Sequence, residues 1–137
     1  MRAEPLSTEP APDNPLVVYL VVRKDLNMGV GKTAAQCGHA VHIFNMWYRE
    51  MLKGQKGCNH LFYRYQLWES RKDNGGFTKI VLGAHDKEWL KLKELYDPIT
   101  VTDAGNTEVP PGTETVMILP PMLRGERLPL LKKQRIL

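Results

Sequence analysis

No stretch of this 137-residue sequence reaches the roughly 18 consecutive apolar residues that a membrane-spanning helix needs, so no membrane span is expected. The opening residues, MRAEPLSTEPAPDNP, lack an apolar core and carry Glu4, Glu9 and Asp13. That fits neither a secretion signal nor an Arg-rich, acid-poor transit peptide. There are only two cysteines, Cys37 and Cys58, fewer than a disulfide scaffold of this size would carry. They read as reduced thiols in a cytoplasmic protein. Cys37-x-His39 recurs as Cys58-x-His60, but helix residues two apart point roughly 200° apart, so such a pair cannot grip one ion and no metal site is expected. Internal repeats and low-complexity segments are also missing.

What is present is ordinary for a globular chain: 42% hydrophobic and 25% charged residues, enough for one domain with a proper core. The charge is placed unevenly. Arg124, Arg127, Lys132, Lys133 and Arg135 face only Glu126 after residue 123, so this end carries the whole net charge of +4. A basic segment of this kind reads either as solvated surface or as a phosphate-attracting patch. The expected organisation is a flexible, Pro-rich segment over 1–15, a domain over 16–121, and a basic tail or short helix over 122–137.

PLVVYLVV, residues 15–22, is almost uninterrupted and rich in β-branched residues, as a strand buried on both faces must be. From Lys32 to Lys53 the spacing of Cys37, Ala40, Val41, Phe44, Trp47 and Met51 predicts a helix with one apolar face, and Gly54 suits its end. A second helix is expected over His60–Arg71, with a stripe of Leu61, Tyr65 and Trp68 and a stop at 74–76. Phe77–Ala84 reads as a strand. A third helix follows, with Asp86 as N-cap and Pro98 as its stop. Strands over Ile99–Gly105 and Thr115–Leu119 follow, and a short helix is expected near Pro129. Strands separated by helices predict parallel crossovers, and the short last connection predicts an antiparallel hairpin. The fold class is therefore α/β, in three layers, with a mixed four-stranded β-sheet and helices on both faces. Functional sites in such sheets gather beyond the carboxyl ends of the strands.

At the first of those ends stands MGVGKTAAQCGHA, residues 28–40. GVGKT looks like the tail of a nucleotide-binding P-loop, which requires Gly-x4-Gly-Lys-Ser/Thr. Leu26 stands where the leading glycine belongs, and leucine disfavours the positive φ that glycine supplies there. Nucleotide hydrolysis is excluded on that ground. The turn keeps a phosphate-facing character, because Gly29 and Gly31 permit an open backbone and Lys32 opens a helix whose N–H donors are unpaired. Lysine there opposes the helix dipole, so its placement points to function.

VVYLVVRKDLNMGVGKTAAQCGHA together with TVTDAGNTEVPPGTETVMILPP closely resembles the class II peptidyl-tRNA hydrolase family, the archaeal and eukaryotic type. The matching positions are Val21, Val22, Arg23, Asp25, Leu26, Met28, Gly29, Gly31, Lys32, Ala34–Cys37, His39 and Ala40, then Asp103–Gly105, Thr107, Pro111, Gly112, Thr115 and Val116. With the strand between them, the likeness covers roughly residues 17–120.

The resemblance implies hydrolysis of the ester joining a peptide to the 3′ ribose of tRNA, which recycles prematurely released peptidyl-tRNA, with no metal and no cofactor. It implies catalytic positions at Lys32, Asp103, Thr107 and Thr115. It implies contacts to the acceptor end of tRNA from Arg23, Gly29, Gly31, Gln36, His39 and Asn106. The implied partner is tRNA, with no membrane, and a homodimer is the assembly allowed for. Lys32 can stabilise an oxyanion, Asp103 can orient or deprotonate water, and the threonines can donate hydrogen bonds to the ester or ribose. Cys37 falls in the apolar stripe and reads as a packing residue. The family usually has GKGK and DAGRT where this chain has Val30 and Asn106, so two positive charges are missing. The alternative on the same fold is a diverged, non-catalytic RNA- or protein-binding module.

Overall fold

In a computed structural model that describes residues 10–54, 60–70, 76–104 and 108–137, the apolar run forms strand β1, Leu16–Arg23, buried along both faces. Its even residues, Leu16, Val18, Leu20 and Val22, point to one side of the sheet, and Val17, Tyr19 and Val21 point to the other. Both sides therefore need cover, and helices supply it. Helix α1, Val30–Gly54, and helix α2, His60–Glu69, pack on the even side. Helix α3, Asp86–Tyr96, packs on the odd side through Trp89 and Leu92.

Strand β2, Lys79–Ala84, runs parallel to β1, as a helical crossover demands. Strands β3, Ile99–Thr102, and β4, Glu114–Ile118, form the expected antiparallel hairpin, with β4 antiparallel to β1. Two further short strands enlarge the sheet. Strand β5, Met122–Leu123, pairs with Leu16 and Val17, and strand β6, Arg135–Ile136, pairs with Leu82 and Gly83. Between them lies helix α4, Pro129–Lys132. Among the described residues the sheet is thus six-stranded, in the order β3-β4-β1-β2-β6 with β5 beside β1, and not four-stranded. Two-residue strands have no alternation to read, which is why the sequence pattern conceals them.

Other local expectations shift for physical reasons. The buried line of α1 is Gln36, Ala40, Phe44 and Tyr48, whereas Trp47 and Met51 remain 42% and 40% exposed. Four-residue steps drift by about 40° each, so this line winds around the helix. It carries contact from β4 at Gln36 to α2 at Tyr48, whose ring stacks on Tyr65 at 4.6 Å. The N-cap position of α3 falls on His85 rather than Asp86, and Asp86 lies in the first turn, where its charge suits the helix dipole. Asp97 ends α3 in the left-handed conformation, φ 46°, just before Pro98. Leu61 and Cys58 lie outside the described side chains.

The segment after residue 121 contributes buried apolar groups: Leu123 joins the even-side core and Leu131 the odd-side core. Arg64 of α2 is buried and forms a two-point ion pair with Glu126 of this segment; one of its two contacts, from Nη2 to Oε2, measures 2.7 Å. Leu131→Ala should cost about 2–4 kcal/mol of unfolding free energy in urea titration, the range for truncating a buried leucine. A cost below about 0.5 kcal/mol would mean that α4 is not held to the core.

Candidate active site

The carboxyl edge of the sheet brings Lys32 and Asp103 together. Lys32 is the third residue of α1, and Asp103 follows the last residue of β3. The Lys32 ammonium donates to Asp103 Oδ1, forming an ion pair with both side chains mostly shielded. The first turn of α1 holds no acidic residue, so Asp103 supplies from another strand the negative charge that the helix N-terminus and Lys32 both favour.

Gln36, one turn along α1, is 3% exposed and donates through Nε2 to the same Oδ1 at 3.0 Å. Its carbonyl oxygen accepts from Thr115 Oγ1 at 2.8 Å, and Thr115 is fully buried. Lys32, Asp103, Gln36 and Thr115 are therefore one connected network.

A β-bulge makes that network reachable. Val101 pairs with Val116, but Thr102 pairs with Glu114, so β4 carries one extra residue between them. Val116 and Ile118 face α1, and strict alternation would turn Thr115 toward α3. The extra residue resets the phase, so Thr115 also faces α1, and Glu114 faces α3. There Glu114 accepts from Lys93 at 2.7 Å and from Thr100 at 2.7 Å. Burial of Glu114 works against its ionisation, but the hydrogen bonds from Lys93 and Thr100 outweigh it and hold the carboxyl below its ordinary value.

The other expected positions divide. Gly29 lies at the site: its N–H donates to Glu108 Oε1 at 2.7 Å, tying the start of α1 to the β3–β4 connection. Neither Gly29 nor Gly31 adopts a positive φ, so the turn does not use glycine's conformational freedom. The left-handed residue before the helix is Asn27, φ 50°. A Cβ on Gly31 would meet nothing within 4 Å, so that position is open. Arg23, expected at the substrate, is turned to the opposite side of the sheet. It pairs with Asp25 at 2.6 Å, donates to the Glu114 carbonyl at 3.3 Å, and lies 5.7 Å from the Trp89 ring. Gln36, expected at the substrate, and Thr115, expected to be catalytic, are both buried, with Gln36 bonded to Asp103 and Thr115 to Gln36. His39 is exposed, nearly two turns beyond Lys32. Asn106 and Thr107 lie outside the described residues.

Glu108 escaped sequence reading, because a carboxylate that serves a helix 79 residues earlier leaves no local signal. Cys37 is half-buried, and burial pushes its thiol above the ordinary value, which disfavours a thiolate nucleophile. No group of three or more potential metal-binding side chains occurs among the described residues. No helix among them is long and apolar enough to cross a membrane.

The basic C-terminal segment is dispersed. Arg124 donates its N–H to the Pro15 carbonyl at the amino end of β1, Arg127 lies over the Tyr19 ring at 6.0 Å, and Lys133 pairs with Glu88 at 2.7 Å. Arg135, opposite Gly83 of β2, lies nearest the carboxyl edge.

This geometry stands beside clear sequence relationships. The family model described as "Peptidyl-tRNA hydrolase PTH2" matches residues 16–133, and the chain belongs to that family. It is 36% identical over 115 residues to "Peptidyl-tRNA hydrolase 2, mitochondrial" of Homo sapiens, covering 76% of this chain and 54% of that protein. It is 35% identical over 110 residues to "Peptidyl-tRNA hydrolase" of Sulfurisphaera tokodaii, covering 76% of this chain and 84% of that one. The corresponding protein of Thermoplasma acidophilum is 32% identical over 122 residues. The chain spans about half the length of the human and bovine relatives it matches.

Two outcomes test the contacts on the two sides of the bulge. Gln36→Leu removes one of the donors to a buried carboxylate and should cost roughly 1–3 kcal/mol in denaturant unfolding. For Glu114 the folded-state pKa is depressed, so its contribution is complete above the unfolded value of about 4.3 and is lost as pH falls through the folded value. The stability gap between wild type and Glu114→Gln should therefore narrow as pH drops from 7 toward 3, as measured by thermal unfolding across pH. A gap that stays constant would mean that the carboxylate's charge contributes nothing.

Proposed function

We propose that this chain hydrolyses the ester between a peptide and the 3′ ribose of tRNA, freeing both. The observation that carries this reading is the Lys32–Asp103 ion pair at the N-terminus of α1, held by Gln36 and Thr115. Family membership and the names of the matched relatives support it.

In this reading Asp103 orients or deprotonates the attacking water, a role worth about 10²–10⁴ in rate. Lys32 neutralises charge that develops on the carbonyl oxygen, with the N-terminal dipole of α1 behind it, and a donor of this kind contributes about 10²–10³. The two Oδ1 donors fix one oxygen of Asp103 and so set where the carboxylate points. Gln36 and Thr115 act through Asp103 as positioning residues. An ester is a weaker bond to break than an amide, so no metal is required by this mechanism. Thr107 keeps its catalytic assignment on the strength of the family motif, and Asn106, which stands where that motif has arginine, keeps its assignment as a substrate contact. His39 borders the acceptor end, and Gly31 leaves room for it. The cytoplasm is the proposed compartment.

The test is turnover of peptidyl-tRNA by the purified chain without added metal. Lys32→Ala and Asp103→Asn should each reduce kcat/KM by at least about 100-fold while far-UV circular dichroism is unchanged, and a chelator should leave the wild-type rate intact. Full turnover by both variants would overturn the assignment. Tight binding of tRNA by the wild type with no cleavage would select the non-catalytic module instead.

A further inference from the structure

Among the described residues β3 has one neighbour, β4, and so forms an open edge of the sheet. The backbone of Asp103 shows which residues face that edge. Its N–H donates to the Thr113 carbonyl at 2.9 Å, and its carbonyl accepts from the Gly112 N–H at 2.8 Å. Both groups therefore point toward the β4 side. Alternation along the strand sends the backbone groups of Val101 and Ile99 the same way, and turns those of Thr100 and Thr102 outward. Their side chains alternate too. Ile99 and Val101 face α1, and Thr100 reaches Glu114 on the α3 side.

This edge lacks the usual protection. Exposed edges are commonly guarded by charge, proline or shortness. The sheet's other end, β6, is two residues long and includes Arg135. β3 reads Ile-Thr-Val-Thr, with no charge, no proline and high strand propensity. An unguarded edge of this kind is a template for an extended peptide.

The edge is also continuous with the site. Thr102, whose backbone faces outward, adjoins Asp103, the partner of Lys32. About 13 Å away, at the start of β3, lies a cleft of about 300 Å³ lined by Trp47, Tyr48, Pro98, Ile99 and Pro120, with Asp97 beside them. Trp47 is exposed, as is Ile43 one turn before it, and Ile43 lies about three turns after Lys32 on the same side of α1. An uncharged backbone edge and an apolar helix face thus lead away from the Lys32–Asp103 pair together.

We infer that the peptide esterified to tRNA adds to this edge as a strand parallel to β3, its carboxyl end at Asp103 and its upstream residues toward Trp47. The inference rests on the hydrolase reading and assigns the peptide half of the substrate to a surface. The direction follows from the chemistry. The ester is the carboxyl end of the peptide, and β3 also runs toward Asp103. Main-chain pairing suits a substrate whose peptide can have any sequence, because backbone groups are what all peptides share.

The experiment compares kcat/KM for N-acetyl-alanyl-tRNA and N-acetyl-pentaalanyl-tRNA, the second long enough to span β3. The wild type should favour the longer substrate by about tenfold or more, the scale for a few backbone hydrogen bonds on a preformed edge. Thr100→Pro removes one outward N–H at a position where an edge strand tolerates proline, and should bring the two substrates within about twofold. Thr100→Val keeps the N–H, loses only the hydroxyl, and should keep the preference. A third arm leaves the protein unaltered: one N-methyl group is moved along the pentapeptide. Losses should fall at alternate residues, since only every second residue of a paired strand faces its neighbour.

A wild-type ratio near one, a preference that Thr100→Pro leaves unaltered, or N-methyl losses without alternation would each overturn the inference while the hydrolase reading stands. Cleavage of neither ester would overturn both. A dimer in sedimentation velocity that Thr100→Pro dissociates, with no change in length preference, would assign the edge to a second copy of the chain and overturn the inference.

Discussion

β1 is the constraint on which the rest of the molecule depends. Its residues from Leu16 to Val22 are at most 3% exposed, so neither face of the strand reaches water. A strand apolar on both faces forces a layer of helices on each side, and its backbone groups force neighbours on each edge. β4 and β2 take those edges, and β5 pairs with the amino end of β1. Trp89, buried on the α3 side, bonds its ring N–H to the Val21 carbonyl at 2.8 Å, so even the helix layer is tied to this strand. Once α1 is laid along the even face, its N-terminus falls at the carboxyl edge, where β3 also ends.

The site follows from that meeting. Lysine in the first turn of a helix and an aspartate mostly shielded from water are each unfavourable alone. Placed against each other they compensate, and Gln36, itself held by Thr115, donates to the carboxylate. A group buried and fixed in this way spends little reorganisation when charge develops beside it, which is what ester hydrolysis needs from its surroundings. Glu108 adds a second tie between the same two elements through the Gly29 N–H.

Much of this was legible from the residues. The β-branched run identified β1, helical crossovers implied the parallel β1–β2 pair, and the motif residues Lys32 and Asp103 pointed to each other across seventy residues. What escaped had weak local signals. β5 and β6 are two residues long and exist because β1 and β2 had unpaired edge groups to offer. Arg23 stands in the matched motif beside Asp25, yet its parity along β1 turns it toward Trp89 and away from Lys32. Trp47 fitted the apolar spacing of α1 but lies off the winding line that α2 and the sheet bury.

The sequence by itself determined that β1 would be buried on both faces and that a lysine would stand at the head of the following helix. Those are properties of residue type and spacing, and no distant contact is needed to set them. Only the tertiary structure decided which way Thr115 and Glu114 point. Their orientation depends on one extra residue in β4, a phase shift that exists only when β4 is paired with β3. The same pairing decided that a glutamine on α1 and a threonine on β4 would serve one aspartate, because hydrogen bonds across 67 and 79 residues are written in no local pattern.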